Sequence, residues 1–174
     1  MALGCKAKPA TYGSLNWRFV ASGVTAINEV VTQFEELKLR RKYAFIVYKI
    51  DGSSIVTDLA LEKEAADKLG SEATYEKFIS LLPESEGRYG VYDFEFDNGS
   101  EGIRNKLVFF LWAPDTAPIK ARMVYASSKQ AIRQRLDGIN IEIQATDFSE
   151  LAHEAVFEKV APKGATPVVK APKA

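Results

Sequence analysis

The chemistry open to this chain is narrow, because His153 is its only histidine and Cys5 its only cysteine. One cysteine closes no disulfide within the chain, and the composition fits a reducing compartment. The same scarcity excludes zinc clusters, Cys–His nucleophile pairs and two-histidine metal sites. No G-x-S-x-G elbow presents a serine for His153 to activate, and no G-x-x-x-x-G-K-[ST] loop cradles a nucleotide. Asp93, Glu95 and Asp97 alternate like calcium-loop ligands. The sixth position, however, is Asn98 where the loop needs Gly, and the twelfth is Arg104 rather than Glu. Tyr92, Phe94 and Phe96 interleave with these acids, so the segment reads as a strand with one apolar and one solvated face. No carboxylate pair stands out for glycoside chemistry. The expectation is a protein that is not an enzyme and uses no metal or cofactor.

Chemistry of a different kind, non-covalent recognition, has two candidates. The first lies in the segment after Asp115. At helical spacing, Pro118, Tyr125, Ile132 and Leu136 share one face, suited to a sheet. A different face carries Ile119, Met123 and Ala126, flanked by Arg122, Gln130 and Arg133, with Lys120 near its edge. A helix with one core face needs no second apolar stripe. Flexible apolar area ringed by basic groups suits a partner protein; a neighbouring loop lying over Ile119 and Met123 would account for it equally well. The second candidate is Arg104 with Lys106. Two apart at the start of an apolar run, both point to one side of a strand end. They are either a cationic contact or two solvated charges.

The elements that must position these residues alternate in type. A helix is expected over 25–39, capped by Thr25. Strands follow over 43–50, buried on both faces, and 54–59, joined by a turn at Asp51-Gly52. Short helices are expected over 62–69 and 74–82. Strong strands over 88–96 and 104–112 flank a turn at Asp97-Asn98-Gly99. Asp115 is expected to cap a long helix that runs to Leu136. Ile139, Ile141 and Ile143 then alternate with polar residues as a half-buried strand. Asp147 starts a last helix to Val160, with Glu150 placed for a capping box. The fold class is α/β, a mixed sheet with helices packed on it.

With 174 residues, 47% hydrophobic and 26% charged, the chain reads as one soluble domain with tails. Lys plus Arg and Asp plus Glu number 23 each, so no global field draws nucleic acid and any electrostatic site is local. No apolar run approaches ~20 residues, so no membrane span is expected. Residues 1–20 show no period and read as a flexible extension from which Trp17 and Phe19 can dock. Residues 161–174, rich in Ala, Pro, Lys and Gly, read as a disordered tail. The folded unit is then 21–160.

The stretch LVFFLWAPDTAPIKARMVYASSKQAIRQRL, from Leu107 to Leu136, resembles the signature region of actin-depolymerising factor/cofilin proteins, most closely the fungal type. ASGVTAINEVVTQFEELKL from Ala21 is similar to the family's amino-terminal segment and first helix. YGVYDFEF from Tyr89 resembles its central strand, and ATDFSELAHEAVFEKV from Ala145 its last helix. The resemblance implies a single ADF-homology, gelsolin-like domain with a mixed five- or six-stranded sheet. It implies a monomer that binds monomeric and filamentous actin, severs and depolymerises filaments, and works on the cytoplasmic actin cytoskeleton, with the nuclear matrix as a second location. Matched by position, Ser22, Gly23, Val24, Lys120, Arg122, Met123, Arg133 and Arg135 would touch both actin forms. Arg104, Lys106, Glu158 and Lys159 would touch filaments only. Ser22 matches a serine whose phosphorylation blocks actin binding in some relatives. Basic groups on the long helix are expected to bind phosphoinositide head groups in competition with actin. The alternative is a coactosin-like protein that binds filaments without severing them.

Overall fold

A computed structural model describes residues 23–172; the expectations for residues 1–20 and for Ser22 lie outside the described residues. The elements run β1 (Thr25–Ala26), α1 (Asn28–Arg40), β2 (Tyr43–Asp51), β3 (Ser54–Glu62), α2 (Lys63–Leu69), α3 (Ser71–Ser80), β4 (Arg88–Asp97), β5 (Ile103–Trp112), α4 (Ile119–Arg133), β6 (Ile141–Ala145), α5 (His153–Val160) and β7 (Thr166–Pro167). The sheet order is β1-β3-β2-β4-β5-β6, and β7 pairs with β4 off this path. β1 with β3 and β5 with β6 are parallel, and the other pairs are antiparallel. The sheet is mixed, as expected. No helix of the described residues is long and apolar enough to cross a membrane.

Alternation along the central strands sends side chains to two separate cores. Ile46, Tyr48, Tyr89, Val91, Phe109 and Leu111 meet Val30, Phe34 and Leu37 of α1 and Tyr125 and Ile132 of α4. On the other face, Phe45, Val47, Tyr92, Phe94, Phe110 and Trp112 meet Tyr75 and Phe78 of α3 and Val156 and Val160 of α5. Residues 44–48 are buried throughout, which is why β2 reads as a continuous apolar run.

α3 begins at Ser71 rather than Thr74, and three other helix starts differ from expectation because tertiary bonds take the backbone first. Thr25 does not cap α1. Its N–H donates to Ser53 O at 3.0 Å and that of Ile27 to Ile55 O at 3.3 Å, so the chain is still extended there and the helix opens at Asn28. Asp115 does not cap α4. Its N–H donates to Thr146 O at 3.1 Å, and Ala117, next to Pro118, sits in a turn with its N–H on Pro114 O at 2.9 Å. The helix therefore begins at Ile119. Pro118 is exposed, and the buried residues at this end are Ala113, Pro114 and Ala117. Asp147 accepts from the N–H groups of Ser149 and Glu150, but it caps a single 3-10 turn, Phe148–Leu151. The Leu151 carbonyl is taken by the Tyr75 hydroxyl at 2.8 Å, and α5 restarts at His153.

Residues 161–172 lie along the domain through β7 and through bonds to Ser71. Composition alone gives such a segment no apolar core to join, but backbone pairing with a free strand edge needs none.

α4 is set against the sheet by Tyr125. Its hydroxyl accepts from the N–H of Ile50 at 3.0 Å, and its main-chain carbonyl accepts from the Tyr89 hydroxyl at 2.6 Å. Its ring lies so close to Gly87 that a Cβ there would stand 2.4 Å from a ring carbon. Gly87→Ala should therefore push Tyr125 off its seat and cost about 1–3 kcal/mol by overpacking. Thermal unfolding measures this; a melting temperature unchanged from the parent would show that α4 docks without this contact.

Candidate functional site

The described residues offer surfaces rather than a reaction centre. A hollow of about 50 Å³ lies between α2, β4 and the tail, lined in part by Lys63, Ser71, Glu95, His153 and Lys170. It is far smaller than a substrate pocket. Among the described residues, no three His, Cys, Asp or Glu side chains gather as a metal set.

The first surface is the outer side of α4. Ile119 is 68% exposed and Met123 65% exposed, so no described loop covers them. Between them on the helix, Lys120 is exposed and Arg122 half-buried. One Arg122 guanidinium nitrogen is paired with the Asp115 carboxylate, while its Nε is buried without a partner. Beside this helix runs β1. Val24, just ahead of it, is buried in the same core cluster as Tyr125, and Gly23 is exposed.

Farther along α4 the predicted residues do structural duty. Arg133 donates through Nε to Glu142 at 2.7 Å and through its terminal nitrogens to Leu136 O at 2.9 Å and Ile139 O at 3.3 Å. It ties the helix end to β6. Partial burial works against the Glu142 carboxylate, but the bonds from Lys129 and Arg133 outweigh it and hold its pKa below the ordinary value. Arg135, exposed, donates to Asn28 Oδ1 at 2.7 Å and joins this end to α1.

The second surface is the start of β5. Arg104 is exposed, with only Glu101 at 3.8 Å as a loose partner. Lys106 points to the same face but is held. Its Nζ donates to Val160 O at 2.7 Å, capping the carbonyl end of α5, and lies 5.5 Å from the Phe96 ring centroid. Glu158 and Lys159 stand exposed on that last turn, so the structure brings the two pairs to one end of the molecule. Between the two cations, Asn105 faces the other side. It accepts from Arg41 at 2.8 Å and donates to Asp93 Oδ1 at 2.6 Å. Sequence reasoning missed this chain, because no local spacing links residues so far apart.

The protein is thus one α/β domain that exposes a cation-flanked apolar helix and a separate basic strand end. The family model for cofilin/tropomyosin-type actin-binding proteins matches residues 23–161. The chain is 49% identical to cofilin of Yarrowia lipolytica over 140 residues, covering 80% of this chain and 87% of that protein. It is 43% identical to cofilin of Saccharomyces cerevisiae over 140 residues, covering 80% and 93%. The crystal structure of Streptomyces griseoflavus cofilin superposes with a TM-score of 0.69 at 39% identity, covering 79% of this chain and 97% of that one. Human coactosin-like protein shares the fold, with a TM-score of 0.65 at 14% identity. The chain belongs to the cofilin/actin-depolymerising factor family.

Asp93 gives this region a pH signature. Burial raises its pKa, outweighing the Asn105 hydrogen bond and the nearby charges of Lys63 and Arg41, and its Oδ2 has no partner. The folded state holds this proton more tightly than the unfolded chain. Its contribution thus favours folding at acid pH and is lost as pH rises through the elevated value. Asp93→Asn should gain stability over the parent at about pH 7 by on the order of 1 kcal/mol, and gain little at about pH 4. Urea unfolding at both pH values tests this; an equal difference at both would show that Asp93 ionises without penalty.

Proposed function

We propose that this protein binds monomeric and filamentous actin, severs filaments and speeds their depolymerisation, acting as a monomer at the cytoplasmic actin cytoskeleton and catalysing no reaction. The observation that carries the reading is the exposure of Ile119 and Met123, with Lys120 and Arg122 between them, on a helix whose opposite face is fixed to the sheet. Gly23 and this helix form the contact shared by both actin forms, with Val24 anchoring the segment in the core, and Arg104, Lys106, Glu158 and Lys159 form a contact made on filaments. Engaging two neighbouring subunits favours an altered filament state and weakens the contacts between subunits. Arg133 and Arg135 support the first contact mainly by fixing the helix end. A phosphate on Ser22 would add negative charge next in sequence to Gly23 and oppose an acidic partner. Exposed Lys120 also offers a cation to phosphoinositide head groups, in competition with actin.

Labelled filaments watched by microscopy test the reading. They should fragment on addition of the protein; decoration without fragmentation would favour the coactosin-like alternative. Lys120→Ala with Arg122→Ala should weaken binding to monomers and filaments alike by on the order of 2 kcal/mol, about thirtyfold. Titration of labelled monomer, with thermal unfolding alongside, measures it, and unchanged affinity in a folded variant refutes the contact. Arg104→Ala with Lys106→Ala should lower co-sedimentation with filaments and spare monomer affinity. Equal loss of both would mean that the two surfaces are not separate.

A further inference from the structure

The carboxy-terminal segment begins and returns beside the two residues that hold Lys106, Val160 and Phe96. The segment leaves α5 at Val160, whose carbonyl accepts from Lys106 Nζ at 2.7 Å. It returns at Thr166 and Pro167, which pair with Asp97 and Phe96 of β4. Phe96 is the residue whose ring the Lys106 ammonium faces, and it pairs across the hairpin with Arg104. This stretch of β4 lies past the end of β2, which pairs only with residues 89–92, so β7 fills an edge that the sheet leaves open.

A clasp follows. Ser71 Oγ donates to Val168 O at 2.8 Å and accepts from the Lys170 N–H at 2.9 Å, while the Ser71 N–H donates to Lys170 O at 3.2 Å. Lys170 Nζ pairs with the Glu95 carboxylate, whose other oxygen holds Lys63 at 2.9 Å. At Gly70 a Cβ would stand 2.7 Å from Lys170 O, so the close approach and a φ of +87° both call for glycine there.

We propose that residues 161–172 are a strap that positions the filament-facing cations. Fastened by Ser71, Glu95 and Lys170, it braces the β4–β5 hairpin and keeps Lys106 and Arg104 in the arrangement a filament meets. The proposal rests on the filament role given above to Arg104 and Lys106. Ser71, Glu95 and Lys170 are positioning residues.

In the full chain, Lys170→Glu sets a second carboxylate against Glu95 and opens the clasp, while Lys170→Arg keeps the cation. Filament co-sedimentation, monomer titration and thermal unfolding are measured for both, with Arg104→Ala/Lys106→Ala alongside. Lys170→Glu should weaken filament binding roughly fivefold, with monomer affinity unchanged, and Lys170→Arg should bind filaments as the parent does. If Lys170→Glu fails to fold, Ser71→Ala is judged by the same criteria. Unchanged or tighter filament binding, while Arg104→Ala/Lys106→Ala weakens it, overturns the strap alone. Equal loss of monomer and filament binding also overturns it. Filament binding that survives Arg104→Ala/Lys106→Ala overturns the filament reading, and the strap with it.

Discussion

The seat of Tyr125 on the sheet is the contact on which the recognition surface depends. One side chain joins three elements. Its hydroxyl reaches the end of β2, its ring touches Tyr89 and fills the space above Gly87, and its own carbonyl is bonded by Tyr89. With this residue fixed, the rotation of α4 about its axis is fixed too. Ile119 and Met123 then face solvent because Tyr125 and Ile132 cannot. Apolar exposure on this helix follows from how it is anchored on its other side.

β5 carries this geometry to the second surface. Its first residues hold Arg104 and Lys106, its middle is buried on both faces, and its end, Trp112, leads through the proline-bounded turn into α4. From Val108 to Trp112 it is hydrogen-bonded on both sides, to β4 and β6, so this stretch neither bends nor slides easily; Arg104 and Lys106 lie ahead of it, paired with β4 alone.

Periodicity and apolar content made the strands and the inward face of α4 legible in sequence. The buried run of β2 and the Tyr125–Ile132–Leu136 stripe are local patterns. The starts of α1, α4 and α5 were not legible, because Ser53, Thr146 and Tyr75 compete for their backbone groups from distant parts of the chain. The stripe itself erred by one residue, Pro118, where proline geometry displaced the helix start. The site was legible in part. Spacing exposed Ile119 and Met123 as a surplus apolar pair, and a strand end exposed Arg104 with Lys106. That Lys106 and Arg133 spend their donors on their own domain depends on contacts no spacing encodes. The pairing of Thr166 and Pro167 with β4 was not legible, because composition speaks of cores and says nothing of an open strand edge.

The parallel pairing of β5 with β6 has a kinetic side. Val108 lies beside Ile141, and α4 is the helix of the crossover between them. Parallel neighbours cannot close by a hairpin, so the crossover must form and fold back before the ladder gains a bond. On a growing chain α4 thus leaves the ribosome ahead of the strand that completes its support. Until residues 141–145 arrive, Arg133 has no Glu142 to grip. Docking of the helix is then a late, long-loop step. The surface that would seize a partner becomes competent only when the domain beneath it is nearly complete.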